Sequence, residues 1–174
     1  MVILLKGNYE FLFYLFVVLL LMFIVYTAQP KIQLPLFVLW HLLIWAVLHL
    51  AGGNLSWQGT RLYDYILIDL IGEPYHIFKF DQLVHMYGFF AATLVAYYLL
   101  KPLLKQDHQR WISLGVIVVM AGLGFGALNE IVEFIVTVIV KSTGVGNYVN
   151  NALDLVANFL GAITAFVYIK IKEN

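Results

Sequence analysis

The chain carries five runs of apolar residues long enough to cross a bilayer, each bounded by charge, proline or glycine. Tyr9 to Ala28 has no charge after Glu10, and its 20 residues match a hydrocarbon core of about 30 Å at 1.5 Å per residue. A cleaved leader would place Tyr26 three residues before a cut at Ala28, where a small side chain is expected, so this run is read as a retained helix. The second span runs over 35–51, opened by Pro35 and ended by Gly52 and Gly53; the third over 81–100, stopped by Lys101 and Pro102. The fourth opens at Trp111 and reaches across the membrane by about residue 135. Its apolar pattern continues to Val140, about 45 Å in all, so it must tilt or bend, with Gly122, Gly124 and Gly126 the natural place. The fifth covers 151–169 and is followed by Lys170 and Lys172. The expectation is a single integral membrane domain over 1–174, an all-α polytopic transmembrane helical bundle.

Composition excludes the soluble alternatives. At 63% hydrophobic and 11% charged residues, the chain cannot coat a water-facing surface, and a bilayer must cover most of it. Ten basic residues against ten acidic leave no basic stripe for nucleic acid. The absence of cysteine removes thiolate chemistry, so any metal must be held by His, carboxylate or amide oxygen. Five spans put the termini on opposite sides. Lys31, Lys101, Lys105, Arg110, Lys170 and Lys172 fall on one side, Lys6, Arg61, Lys79 and Lys141 on the other. The positive-inside bias therefore places the C-terminus in the cytoplasm and the N-terminus outside a cell membrane. Of the acidic residues only Asp107 and Glu173 fall inside, which puts any chemistry on the outer side.

The outer loop, 54–80, predicts a short interfacial or re-entrant helix from Arg61 to Ile71. Thr60 would be its N-cap, Gly72 and Pro74 would close it, and Ile66, Leu67, Leu70 and Ile71 would form its apolar face. The triplet Asn54-Leu55-Ser56 matches a glycosylation pattern that is common by chance.

Within the spans, polar residues gather at one depth. Asp81 and His85 are spaced i, i+4 and share a face, Glu130 and Glu133 are spaced i, i+3, and Asn151, Asp154, Asn158 and Gly161 form a helical stripe. Glu130 lies about 28 Å along its helix from Trp111, near the outer boundary. An ionisable side chain near the bilayer centre costs about 2.5 to 3.5 kcal/mol, so these carboxylates need water, protons or cations. One reading is a metal site of Asp81, His85, Glu130, Glu133 and Asp154, suited to Zn²⁺, Mn²⁺ or Fe²⁺, or through the carboxylates alone to Mg²⁺ or Ca²⁺. His85, Glu130 and Glu133 are its candidates for catalysis; Asn158, Asn151, His49 and Arg61 would support it. The other reading is structural, with the carboxylates paired to Arg61, Lys79 and Lys141. His41 lies deeper than His49 and is expected outside the cluster, while His76 and His108 are loop residues without an assigned partner. The Gly122-x-x-x-Gly126 pair predicts close helix packing. Ser56, Ser113 and Ser142 lie in no nucleophile context, which argues against serine hydrolysis.

The segments Phe80-Asp81-Gln82-Leu83-Val84-His85-Met86-Tyr87-Gly88, Asn129-Glu130-Ile131-Val132-Glu133-Phe134 and Asp154-Leu155-Val156-Ala157-Asn158-Phe159-Leu160-Gly161-Ala162 resemble the YjdF-like inner-membrane proteins of unknown function. The ending of span two, His49-Leu50-Ala51-Gly52-Gly53, is similar as well. The order of Asp and His opening one span, Glu closing the next, and Asp, Asn and Gly opening the last also resembles the wider VanZ-like pattern. Asn150-Asn151-Ala152-Leu153 departs from the YjdF-like pattern, which carries another acidic residue there. The resemblance, over about residues 41 to 165, implies a polytopic helical membrane protein and, for VanZ-like members, a link to glycopeptide-antibiotic resistance. It implies no settled reaction. Two classes of function follow: a metal-dependent hydrolase or transferase acting on a lipid or lipid-linked substrate, or a non-enzymatic protein binding a cation, proton or envelope ligand. No feature of the sequence sets an oligomeric state.

Overall fold

The computed structural model describes residues 9–73, 75–104, 110–140 and 146–173, with side chains from residue 12 onward. Lys6, Pro74, Lys105, Asp107, His108, Lys141 and Ser142, and the side chain of Glu10, lie outside the described residues. Among the described residues, five helices are long and apolar enough to cross a membrane: α1 Tyr9–Ile32, α2 Leu36–Asn54, α3 Phe80–Leu100, α4 Trp111–Ile139 and α5 Tyr148–Glu173. The protein is a multi-pass helical bundle whose outer faces carry exposed side chains such as Leu36, Ile112, Val116, Val138 and Ile171.

The third helix is the axis of this bundle. Val84, His85, Gly88, Phe89, Ala91, Leu94 and Tyr97 are buried along it, and it packs against α2, α4 and most extensively α5. The α5 side of that contact is a stripe at helical spacing: Asp154, Ala157, Asn158, Gly161, Ala162, Ala165 and Ile169. Gly161 sits where a Cβ would strike the Met86 carbonyl oxygen, so the two backbones touch here because no side chain intervenes. At the far end, Val38, Leu94, Tyr97, Leu114, Val118, Ala165 and Ile169 form an apolar core, closed by a Lys101 to Glu173 ion pair at 2.8 Å.

Several helix boundaries differ from the sequence reading, the first helix running on to Ile32 and the fifth to Glu173. The α2 helix does not end before Gly52 and Gly53 but runs on to Asn54, because Gly52 supplies a flat place for the Tyr63 ring instead of a stop. The Asn54 side chain donates to the Leu50 carbonyl at 2.8 Å in this last turn. The α5 helix begins earlier than expected, at Tyr148, with Asn147 Oδ1 accepting from the backbone of Val149 and Asn150 at 3.0 and 3.2 Å. The long α4 is one helix through its glycines. Gly122 and Gly126 face inward, where added Cβ atoms would strike Thr93 and Ala162, and Asn158, while Gly124 faces open space.

The expected helix over 61–71 does not form. Arg61 belongs instead to a two-residue hairpin, β1 Ser56–Trp57 with β2 Thr60–Arg61, turned by Gln58 and Gly59 at φ +50 and +83. One turn of 3₁₀ helix follows, Leu62–Asp64, with Arg61 and not Thr60 as its cap. Beyond it the chain doubles back: Leu67 N–H donates to Phe78 O at 3.1 Å, and Phe80 N–H to Tyr65 O at 2.9 Å. The returning segment supplies the acceptors that a helix would have found within itself, and Leu70 and Ile71 remain exposed. His76 Nδ1 lies 3.2 Å from Asp69 Oδ2, which gives it a partner in this loop.

Candidate functional site

Each helix contributes through its spacing. Asp81 and His85 lie one turn apart at the start of α3, Glu130 and Glu133 on one face of α4, Asp154 and Asn158 one turn apart at the start of α5. The bundle brings all six together at one end. His85 is the hub: its Nε2 lies 3.8 Å from Asp81 Oδ1 and 3.9 Å from Glu133 Oε1, and its Nδ1 lies 3.8 Å from Glu130 Oε1. Asn158 Oδ1 approaches the same Nδ1 at 3.1 Å. Two overlapping triads, Asp81–His85–Asp154 and His85–Glu130–Glu133, each place one donor atom per residue within 4.8 Å of the others.

Neutral amides hold the carboxylates in place. Asn150 Nδ2 donates to Asp154 Oδ2 at 2.6 Å and to Asp81 Oδ2 at 3.3 Å, tying α3 to α5. Gln82 Nε2 donates to Asp154 Oδ1 at 3.4 Å, Asn129 Nδ2 to Glu133 Oε1 at 2.8 Å, and Asn151 Nδ2 to Glu130 Oε2. Glu130 Oε1 is buried and has no hydrogen-bond partner among the described residues. A carboxylate oxygen in that state carries a desolvation cost of about 1 to 3 kcal/mol or more. The donor set, one imidazole with several carboxylates, is the kind that holds a divalent cation.

The supporting residues divide. Asn151 and Asn158 join the cluster. His49 is instead bound to Tyr63, whose hydroxyl lies 2.7 Å from His49 Nδ1, and stacks on Trp45 at a ring separation of 5.5 Å. Arg61 forms a forked pair with Asp64 at 2.9 and 3.2 Å. His41 shares a 2.7 Å contact with the Tyr87 hydroxyl, away from the cluster. Gln82, Asn150 and Tyr63 were missed by sequence reasoning. The first two are uncharged amides with no periodicity of their own to flag them. Tyr63 reaches the site from the loop, where its phenol is buried. Burial, and then the negative charges of Asp81 and Glu133, hold its hydroxyl protonated far above the ordinary tyrosine range.

An open cavity of about 200 Å³ leads to the cluster between α4 and the start of α5, lined by Glu130, Glu133, Phe134, Thr137, Asn150 and Asn151 among others. Phe134, one of the lining residues, is 66% exposed.

A family model described as Predicted membrane protein (DUF2238) matches residues 2–174. No curated protein and no solved structure matches the chain.

Proposed function

The chain belongs to that family of predicted membrane proteins, and from this premise we propose that it is a metal-dependent hydrolase or transferase acting on a lipid or lipid-linked substrate. The observation that carries the reading is the His85 ring set among Asp81, Glu130 and Glu133 oxygens at 3.8 to 3.9 Å from two helices, with Glu130 Oε1 buried and unpartnered among the described residues. A Zn²⁺ or Mn²⁺ ion, or through the carboxylates alone Mg²⁺ or Ca²⁺, would offset much of that charge. Such an ion would polarise a phosphoryl or acyl oxygen or activate water, with His85 or a glutamate as ligand or general base. The open cavity lined by Glu130, Glu133 and the exposed Phe134 supports access of a headgroup to the cluster. On the six to four Lys/Arg count the site faces outward from a cell membrane with the C-terminus cytoplasmic.

Elemental analysis of purified protein, with thermal unfolding in chelator and in Zn²⁺, Mn²⁺, Mg²⁺ and Ca²⁺, tests the reading: bound metal and a chelator-dependent loss of stability are expected. A reporter fused after residue 174 should be cytoplasmic and one within 54–80 external; the reverse would move the site to the inner face.

The alternative is a non-enzymatic, VanZ-like, resistance-associated protein that binds a cation, proton or envelope ligand, or whose cluster only joins helices. The amide donors from Asn129, Asn150 and Asn151, which already satisfy several carboxylate oxygens, favour it. An unfolding curve indifferent to chelator and to every ion, with no metal found, would select the purely structural form.

A further inference from the structure

The imidazole at the hub has two nitrogens in unequal surroundings. Nδ1 faces Asn158 Oδ1 at 3.1 Å, within hydrogen-bond distance, and an amide oxygen only accepts. With Oδ1 toward the ring, the proton of a neutral His85 belongs on Nδ1 and the lone pair on Nε2; a flipped amide, whose Nδ2 is otherwise buried without a partner among the described residues, would reverse both. That lone pair faces the space between Asp81 Oδ1 and Glu133 Oε1 at 3.8 and 3.9 Å. Two ligand atoms at about 2.0 to 2.2 Å from one ion stand that far apart when the angle at the ion opens somewhat beyond tetrahedral. Asn158 is completely buried in α5, and its amide is wedged against α4, since a Cβ on Gly126 would strike it. It cannot swing away without displacing the helix.

We infer that His85 meets its cation through Nε2, between Asp81 and Glu133, and that Asn158 is the positioning residue that fixes this tautomer and the ring plane. The inference rests on the metal-site reading above. Metal-bound histidines generally donate their second N–H to a carbonyl or carboxylate, and losing that partner weakens binding although it never touches the ion. Glu130 Oε1, buried on the Nδ1 side without a hydrogen-bond partner among the described residues, shows that the cluster's negative charge is not fully met by protein donors.

Full-length protein with ¹⁵N-labelled histidine, titrated with Zn²⁺ alone, tests the assignment. The His85 Nδ1 resonance should be proton-bearing before and after addition, and the Nε2 resonance should be the one that moves. Asn158→Ala should weaken Zn²⁺ binding by about ten- to a hundredfold, and Asn158→Asp, which keeps an acceptor, should restore it. A shift at Nδ1, or an Asn158→Ala affinity within about twofold of the parent, overturns the positioning role and leaves the metal site standing. A parent protein that binds no Zn²⁺ at all overturns both. Where Asn158→Ala fails to fold, the resonances of the unaltered protein decide.

Discussion

The contact between α3 and α5 is polar at one end and apolar at the other, and the two halves are held by different physics. Around Leu94, Tyr97, Ala165 and Ile169 the surfaces interlock with no charge among them, so stability there depends on shape. Around His85, Asp154 and Asn158 the side chains are as deeply buried, yet four carboxylates crowd one imidazole. Shape alone does not hold that end together, because the groups repel unless a proton or cation joins them. The apolar half is held by shape; the polar half answers to the ions around it.

The largest effect should come from between the halves. Gly161→Leu drives a side chain into the Met86 backbone and should destabilise by about 3 kcal/mol or more, read as loss of a folded population in detergent. Within the apolar half, Leu94→Ala should cost about 2 to 4 kcal/mol by leaving a cavity, while any response to chelator stays intact. In the polar half the pattern should invert. Glu133→Gln should remove the metal-dependent part of stability, about 2.7 kcal/mol at a hundredfold excess of ion over its dissociation constant, and leave the melting point insensitive to chelator. A Leu94→Ala protein that loses the metal response, or a Glu133→Gln protein that keeps it, would erase the distinction between the halves.

The smallest effect concerns pH. The Tyr63 hydroxyl is held protonated in the fold, so above the ordinary value of 10.0 the unfolded chain binds fewer protons than the folded one. Stability is then complete below pH 10 and falls as pH rises beyond it, by at most about 1.4 kcal/mol per unit. Tyr63→Phe should remove that decline while costing about 1 kcal/mol at neutral pH through the lost contact with His49. Parallel alkaline melting curves for the two proteins would show that Tyr63 is not held as described.

The spans were legible because the bilayer sets their length, and the convergence of Asp81, His85, Glu130 and Asp154 because helical spacing and depth can be counted along a chain. The loop was not. The 3.6-residue pattern at Ile66, Leu67, Leu70 and Ile71 describes a helix that pairing between Tyr65 and Phe80, 15 positions apart, replaces. The hairpin turn at Gln58 and Gly59 has only a glycine to mark it, and a single glycine in a loop does not specify a hairpin. Asn150 and Gln82 stayed hidden for another reason. Their importance lies in which carboxylate they meet across a helix interface, and amides give no warning of that from their own helix.

The backbone contact at Gly161 also sets what motion the site can make. A helix that slides past its neighbour does so by whole turns, about 5.4 Å at a time. Such a step would carry Gly161 off Met86 and bring Ala157 or Asn158 from one side, or Thr164 or Ala165 from the other, against the same carbonyl, each with a Cβ that this contact has no room for. The glycine is thus a detent: it fixes the axial register of Asn158 against His85. A partner molecule arriving through the α4–α5 opening would find a mount that cannot shift along its length.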